Sequence, residues 1–249
     1  MLELIEKFKN REVKAKEIFE IKQVSQKEAR DIVSKYHYLG DKKFMFSMAY
    51  GLFIKGHDDL VGCAVFGMVG GVVALKGWFG LDNSHSNEFL ELNRLVMNPI
   101  LNGCNATSFL LSNALKDIKK NHKEVRAIIS LADASCHHGY VYQACNFQYH
   151  GISSKAKDLY TEDGRLNPRG KTKDLRGVWL NRTQKHRYIY VFDKSLNIIY
   201  KQEKYPKGNG HLIPDCCNGT NRVFDARFRQ WYTCPKCTGK LEKISPKTH

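Results

Sequence analysis

Residues 89–133 read FLELNRLVMNPILNGCNATSFLLSNALKDIKKNHKEVRAIISLAD, and this stretch decides the predicted fold. Its first nine residues are typical of a strand, which must end at Asn98-Pro99 because proline cannot continue a hydrogen-bond ladder. Residues 106–122 have the apolar spacing of an amphipathic helix, and residues 125–133 resemble a buried strand. Together with the flanking segments, this order predicts an α/β or α+β fold, with a mixed sheet flanked by helices.

The residues before this stretch predict further helices and strands. The first 20 residues are charged and helical in pattern, and SQKEARDIVSKYHYL predicts a helix that Ser25 and Glu28 begin as a capping box. The segments GLFIK and DLVGCAVFGMV are rich in strand-forming residues, and GHDD between them is a turn signal, so they predict a hairpin. VVALKGWFG, at residues 72–80, is interpreted as a continuation of that sheet or its edge.

After residue 133 the pattern predicts a short helix, an insertion and a final hairpin. HGYVYQACNF is interpreted as the helix, and residues 153–182 are polar and rich in glycine and proline, as in a long loop or insertion. HRYIYVFD and LNIIYKQ predict a hairpin around Lys194-Ser195. We expect one main domain over residues 1–200, with the basic insertion inside it, and a small separate tail over residues 205–249.

The positive charge is concentrated in the last two-fifths of the chain. Residues 1–150 contain 19 Lys and Arg against 16 Asp and Glu, whereas residues 151–249 contain 21 against 9. Such a surface binds polyanions, and the interleaved aromatics in KHRYIYVFDK and RFRQWY favour nucleic acid over a merely solubilising surface or an anionic membrane. No apolar run is long enough to cross a membrane, and the start of the chain has no signal-peptide pattern. We therefore expect a soluble, cytoplasmic protein.

Residues 91–147 resemble the core of GNAT-type N-acetyltransferases. In that family a strand leads into a loop and a helix whose N-terminus binds the pyrophosphate of coenzyme A. The resemblance implies that Gly103, Thr107 and Ser108 bind the donor. The family pattern has Gln or Arg, then Gly, then Gly or Ala at positions that are here Asn102, Asn105 and Thr107, so bulkier residues replace its small ones. The resemblance also implies an acyl donor linked to coenzyme A.

A narrower resemblance joins five segments in order: KYHYLG, ELNRLVM, SLAD, HGYVYQACNF and KHRYIYVF. Over about residues 30–195 they resemble the Mom proteins of bacteriophages, a divergent branch of the same fold. The resemblance implies an enzyme that converts adenine in double-stranded DNA to N6-carbamoylmethyladenine and protects phage DNA from restriction in the host cell. The alternatives are a conventional N-acetyltransferase acting on a protein or small amine, and a non-catalytic DNA-binding zinc module.

Three residues are the main catalytic candidates, and we expect them around one cleft. Arg94 lies between apolar neighbours, where a charge must be paired or face a cleft; it could bind donor or phosphate, or form a salt bridge to Glu91 or Asp133. Asp133 ends the second strand and could assist removal of a proton, or cap the segment beginning near Ser135. Tyr142 falls where GNAT enzymes keep a tyrosine that protonates the leaving thiolate; the alternative is a packed aromatic. Thr107 and Ser108 could equally cap their helix.

The motif KYHYLG supplies a further candidate, His37, between Tyr36 and Tyr38. Histidine titrates near neutrality and also binds metals, so His37 could act in catalysis or help to hold a catalytic iron; a packed or surface histidine is the alternative. The two tyrosines could stack on a displaced base, since an enzyme that modifies a base must take it out of the duplex.

The tail contains a CxxC pair, Cys234 and Cys237, preceded by the adjacent Cys216 and Cys217. With His211 these residues predict a structural zinc site similar to a zinc ribbon, in which either Cys216 or Cys217 is the ligand. Reduced thiols without metal are the alternative. Cations beside aromatics are the candidate DNA-binding residues: Lys185, Arg187, Arg227 and Arg229.

Overall fold

The computed structural model describes residues 2–37, 43–70, 72–102, 104–135, 137–161, 177–206, 222–225 and 230–233. The chain divides into two units. The first unit consists of Met1–Leu131, Tyr140–His150 and Tyr188–Tyr205, and the second of Ala132–Gly139, Gly151–Arg187 and Pro206–His249.

Six helices and eleven strands lie within the described residues. The helices are α1 (Leu2–Lys9), α2 (Ala15–Ile18), α3 (Gln26–Tyr36), α4 (Val72–Phe79), α5 (Ala106–Asn121) and α6 (Tyr140–Ala144). The strands are β1 (Phe19–Gln23), β2 (Met48–Ile54), β3 (Leu60–Met68), β4 (Phe89–Met97), β5 (Ala127–Asp133), β6 (Gln148–Ile152), β7 (Lys157–Thr161), β8 (Gly177–Asn181), β9 (Lys185–Val191), β10 (Arg222–Asp225) and β11 (Gln230–Thr233). Two 3-10 turns occur at Asn83–Glu88 and Pro99–Leu101.

Seven strands form one mixed sheet in the order β1-β2-β3-β4-β5-β9-β6. The first four pair antiparallel, and β4 and β5 pair parallel. A parallel pair needs a crossover, and α5 supplies it between β4 and β5. The predicted strand, helix and strand are thus confirmed, as is a mixed α/β sheet flanked by helices. Two further antiparallel pairs, β7 with β8 and β10 with β11, stand outside this sheet.

Local signals in the sequence fix several element boundaries. The Glu28 amide donates to Ser25 Oγ at 3.3 Å and the Ser25 amide donates to Glu28 Oε2 at 2.8 Å, so the predicted capping box begins α3. The predicted hairpin of β2 and β3 also forms, and its turn contains Gly56 at a φ of 76°. After β4, the Asn98 side chain accepts a hydrogen bond from the Ile100 amide and begins a 3-10 turn.

Two predictions of secondary structure for apolar segments were wrong. Residues 72–79 form α4 and not a strand, because Leu75, Trp78 and Phe79 share the inward face at helical spacing and pack with Phe89 in a buried cluster. Residues 196–202 form no strand; Ile198 and Tyr200 pack against the same cluster instead. The sequence of a short apolar run does not show whether it forms a helix, a strand or an irregular segment, because the outcome depends on the side chains against which it packs.

The N-terminal and insertion regions also differ from expectation. The N-terminal helices end at Ile18, where β1 begins at Phe19, so the helical prediction to residue 20 extended slightly too far. The predicted long loop or insertion at 153–182 contains β7 and β8, which pair with each other, while residues 162–176 lie outside the described ranges. Within the described ranges, no helix has the length and apolar character required to span a bilayer.

Candidate active site

In the first unit, β4 carries a carboxylate and a guanidinium that are both half-buried, those of Glu91 and Arg94. Glu91 Oε2 accepts a hydrogen bond from the Gly70 amide at 3.2 Å. Burial raises the pKa of Glu91, although the Gly70 amide and the charge of Arg94 oppose the shift. Arg94 donates to the Asn93 carbonyl at 2.7 Å, and its guanidinium lies 5.4 Å from the centre of the Phe44 ring. Arg94 is therefore held by backbone and aromatic contacts close to a carboxylate whose pKa burial raises.

Tyr142, on α6, is buried, with 7% of its surface exposed. Its ring packs against Phe147 and Tyr188 at centroid distances of 5.5 and 5.2 Å. Burial raises the pKa of Tyr142; the Ser130 hydroxyl opposes this shift, and the nearby Cys145 and Glu91 add to it. The Tyr142 phenol thus stays protonated, the state required of a proton donor.

Ser130, on β5, was not identified from the sequence. Its side chain is fully buried, and Ser130 Oγ has no hydrogen-bond partner of regular geometry among the described residues. Its influence on the pKa of Tyr142 nevertheless places the two hydroxyls close together. Ser130 thus places a second buried hydroxyl beside the Tyr142 phenol. Glu91 was identified from the sequence only as a salt-bridge partner for Arg94, and not as a functional residue.

The start of α5 holds two of the predicted donor-binding residues. Ser108 Oγ donates to the Asn105 carbonyl at 2.9 Å, and Asn105 makes no side-chain cap. The Ser108 hydroxyl thus bonds a carbonyl and does not cap an amide of the helix. Amide groups of the first turn are therefore available to an anion. Gly103 lies outside the described residues.

The candidates in KYHYLG lie at the end of α3. The His37 amide donates to the Val33 carbonyl at 2.8 Å, which makes His37 the C-terminal cap residue. Tyr36 is half-buried, with Lys35 Nζ 5.0 Å from the centre of its ring. Tyr38 lies outside the described residues. Within the described part of the chain, no three His, Cys, Asp or Glu side chains form a group that could hold a metal, so iron binding through His37 stays a prediction.

In the second unit, four donors converge on the Asp133 carboxylate. Oδ1 accepts from the Ser135 amide at 3.0 Å and the Ser135 hydroxyl at 2.7 Å. Oδ2 accepts from Thr183 Oγ1 at 2.9 Å and forms an ion pair with Lys185. Burial by itself raises the pKa of Asp133, but Lys185 and Ser135 outweigh it and hold the pKa below its ordinary value. Asp133 is therefore a charged anchor, and it also caps the turn at Ser135, as the structural alternative predicted.

A histidine pair adjoins this anchor and was missed in the sequence. His138 Nδ1 and His186 Nε2 are 3.2 Å apart, so one nitrogen donates and the other accepts. Burial, followed by the influence of His138, lowers the pKa of His186 to about 4, while Asp133 opposes the shift. His186 is therefore neutral at physiological pH. The only sequence signal was the His137-His138 dipeptide shortly after SLAD.

The predicted DNA-binding cations have different environments. Lys185 is paired with Asp133, and Arg187 Nη2 donates to the Ile152 carbonyl at 2.8 Å. Arg227 and Arg229 lie outside the described residues. The same is true of the predicted zinc ligands: His211, Cys216, Cys217, Cys234 and Cys237.

The expected grouping of Arg94, Asp133 and Tyr142 is resolved only in part. The charge of Arg94 lowers the pKa of Glu91, and Glu91 raises the pKa of Tyr142, so these three residues lie near one another in the first unit. Asp133 belongs to the second unit. A cavity of about 510 Å³ elsewhere in the first unit is lined by β1, β2 and α5. There Asp117 accepts hydrogen bonds from Tyr50 and Asn121 at 2.8 Å each, so this carboxylate is already occupied.

A sequence profile of the Mom protein family matches residues 18–207, well over half of the chain. The chain belongs to the Mom protein family. The resemblance to Mom proteins seen in the sequence is thereby confirmed. The range that matches the family includes Glu91, Arg94, Asp133 and Tyr142, and it ends before the predicted zinc ligands.

Solved structures similar to this family member are acetyltransferases. A GNAT-family acetyltransferase from Bacillus anthracis is 17% identical with a TM-score of 0.42, and covers 70% of this chain and 95% of its own. A Bacillus subtilis acetyltransferase in complex with CoA is 14% identical, with a TM-score of 0.39 and coverages of 70% and 98%. Arabidopsis thaliana NAA60 in complex with acetyl-CoA is 10% identical, with a TM-score of 0.44 and coverages of 70% and 99%. Because these TM-scores are below 0.5, the description of the fold rests on the order of the strands in the sheet. No curated protein sequence matches the chain.

Proposed function

We propose that this protein is a phage DNA-modification enzyme, a transferase that attaches a carbamoylmethyl group to N6 of adenine in double-stranded DNA. The observation that carries the proposal is the match to the Mom family over residues 18–207. The concentration of positive charge after residue 150 supports a polyanionic substrate. Protection of phage DNA from host restriction is the biological role that follows.

The proposed reaction needs a proton acceptor and a proton donor. The exocyclic amine of adenine is a poor nucleophile because its lone pair is delocalised, so its proton must be accepted as the new bond to nitrogen forms. Glu91 suits this task better than Asp133, because burial raises the pKa of Glu91 while four donors hold the Asp133 carboxylate in its charged form. Tyr142, buried and protonated, suits protonation of the leaving group.

Arg94 and Asp133 have supporting roles in this scheme. The guanidinium of Arg94 stabilises negative charge on the donor or on phosphate, and its contacts with the Asn93 carbonyl and Phe44 hold it in place. Asp133 positions Lys185, whose ammonium group would otherwise be free to move. Of the four residues, Glu91 and Tyr142 thus act on protons, whereas Arg94 and Asp133 position charge.

The start of α5 fits a donor that carries a pyrophosphate, such as one linked to coenzyme A. Asn105 makes no side-chain cap there, so Thr107 and Ser108 would hold the pyrophosphate with the amides of the first turn. When bound, such a donor supplies the group that is transferred. The product is joined to N6 through a methylene carbon, so simple transfer of an acetyl group does not account for it.

Mass spectrometry of nucleosides from cells that express the protein tests this proposal. We expect an adenine heavier by one carbamoylmethyl group in plasmid DNA from these cells and not from cells expressing the Glu91→Gln variant. Acetylated proteins or amines without modified DNA would identify a conventional acetyltransferase. If DNA, proteins and amines are all unmodified, the protein is a non-catalytic DNA-binding protein.

A further inference from the structure

The second unit contains a two-stranded antiparallel ribbon, defined here as residues 151–161 together with residues 177–187. Strands β7 and β8 form its outer part, in the register that pairs Lys157 with Asn181 and Leu159 with Trp179. Towards its base the pairing continues, since the Arg182 amide donates to the Ala156 carbonyl at 2.8 Å. The Ser153 amide then donates to the Lys185 carbonyl at 2.8 Å. The described part of the predicted loop or insertion is thus a paired, two-stranded ribbon.

Trp179 exposes a large apolar side chain on this ribbon. Directly opposed residues of an antiparallel pair lie on the same face, so Trp179 and Leu159 share one. Leu159 is 3% exposed, whereas Trp179 is 53% exposed. Folding of the chain therefore leaves half of the indole in water, where it is available to a partner.

The ribbon is also strongly basic. Its two segments contain five Lys and Arg residues and a single acidic residue, Asp158. Lys185 is neutralised by Asp133, but Lys155 and Lys157 are exposed and form no ion pair with any described residue. A surface that combines exposed cations with an exposed indole complements a nucleic acid, because phosphates attract the cations and the bases offer apolar surface.

We propose that this ribbon enters the major groove of duplex DNA, with Lys155 and Lys157 against phosphates and the Trp179 indole against base edges. The major groove is about 12 Å wide and admits a two-stranded β-ribbon. The inference rests on the proposed function, which supplies DNA as the partner, and it adds the element that contacts the groove. The lysines fix the position of the duplex, and the indole contacts the bases.

Fluorescence anisotropy of a labelled duplex, titrated with the full chain, separates the two kinds of contact. We expect Trp179→Ala to weaken binding by about tenfold, as for other interface tryptophans, at an unchanged salt slope. Trp179→Phe should restore most of the affinity because phenylalanine keeps an apolar ring. The double variant Lys155→Ala/Lys157→Ala should lower the slope of log affinity against log salt by about 1.8, or 0.9 for each phosphate contact.

Matched controls lie in the first unit. Tyr140 is 66% exposed, and Tyr140→Ala removes an aromatic side chain of similar exposure. Lys116→Ala/Lys120→Ala removes two exposed charges from α5. Both controls should bind the duplex as the wild type does, and circular dichroism should show that every variant is folded.

Three outcomes overturn the inference, and one of them also removes the proposed function. If wild-type protein does not bind duplex DNA at low salt, both the inference and the proposed function are wrong, because both require duplex DNA. If wild type binds but the ribbon variants bind equally well, with equal salt slopes, the ribbon is not the contact, and the proposed function stands. If unlabelled single-stranded DNA or RNA competes better than unlabelled duplex, the groove assignment is wrong.

Discussion

Replacing Asp133 by asparagine tests the charged anchor of the second unit. The substitution keeps the size of the side chain but removes its charge, and it places an NH2 group among donors that previously met two carboxylate oxygens. Lys185, whose side chain is 28% exposed, then loses its counter-ion. A charge-assisted hydrogen bond contributes about 1.5–3 kcal/mol, so we expect the free energy of unfolding to fall by about 2 kcal/mol.

Thermal unfolding at neutral pH measures this loss. A change of about 2 kcal/mol corresponds to a decrease in Tm of about 4–8 °C for a chain of this length. The matched control is Asp31→Asn, which breaks an exposed ion pair with Lys27 and should change the free energy of unfolding by at most about 0.5 kcal/mol.

The pH dependence gives the same prediction a definite sign. The pKa of Asp133 is lower in the folded protein than its ordinary value of 3.8, so its stabilising contribution is fully present above that value. The contribution is lost as the pH falls through the lowered folded pKa, and the Tm values of wild type and Asp133→Asn should therefore converge in acid. Equal Tm values at neutral pH, or a difference that grows on acidification, would refute this account of Asp133.

Three other substitutions test the remaining assignments. Arg94→Ala should abolish modified adenine in nucleoside digests while circular dichroism stays that of a folded protein; full modification by a folded variant would remove Arg94 from the mechanism. Tyr142→Phe should lower modification at least tenfold, yet change the free energy of unfolding by no more than about 1 kcal/mol, because only a hydroxyl is lost. Cys234→Ser should release one zinc ion, measured by elemental analysis, and loosen the tail before the core unfolds, measured by limited proteolysis. If wild-type protein purified without chelator contains no zinc, the predicted site is wrong.

The charge distribution and the local elements of the fold could be predicted from the sequence. The Ser25 and Glu28 capping box, the β2–β3 hairpin and the succession of β4, α5 and β5 depend on residues that are close in the chain, so spacing and periodicity are enough to identify them. The family could also be identified from the sequence, because ordered motifs such as ELNRLVM and HGYVYQACNF retain its pattern.

Only the tertiary structure decided which side chains meet. Residues 72–79 form a helix because Leu75, Trp78 and Phe79 find a shared apolar cluster, which their own sequence does not specify. Lys185 pairs with Asp133 across 52 positions, and His186 meets His138 across 48. Such contacts depend on the order of strands and on which face each residue occupies. A shift of one residue in register would move each side chain to the opposite face, so local patterns determine the elements and long-range pairing determines the site.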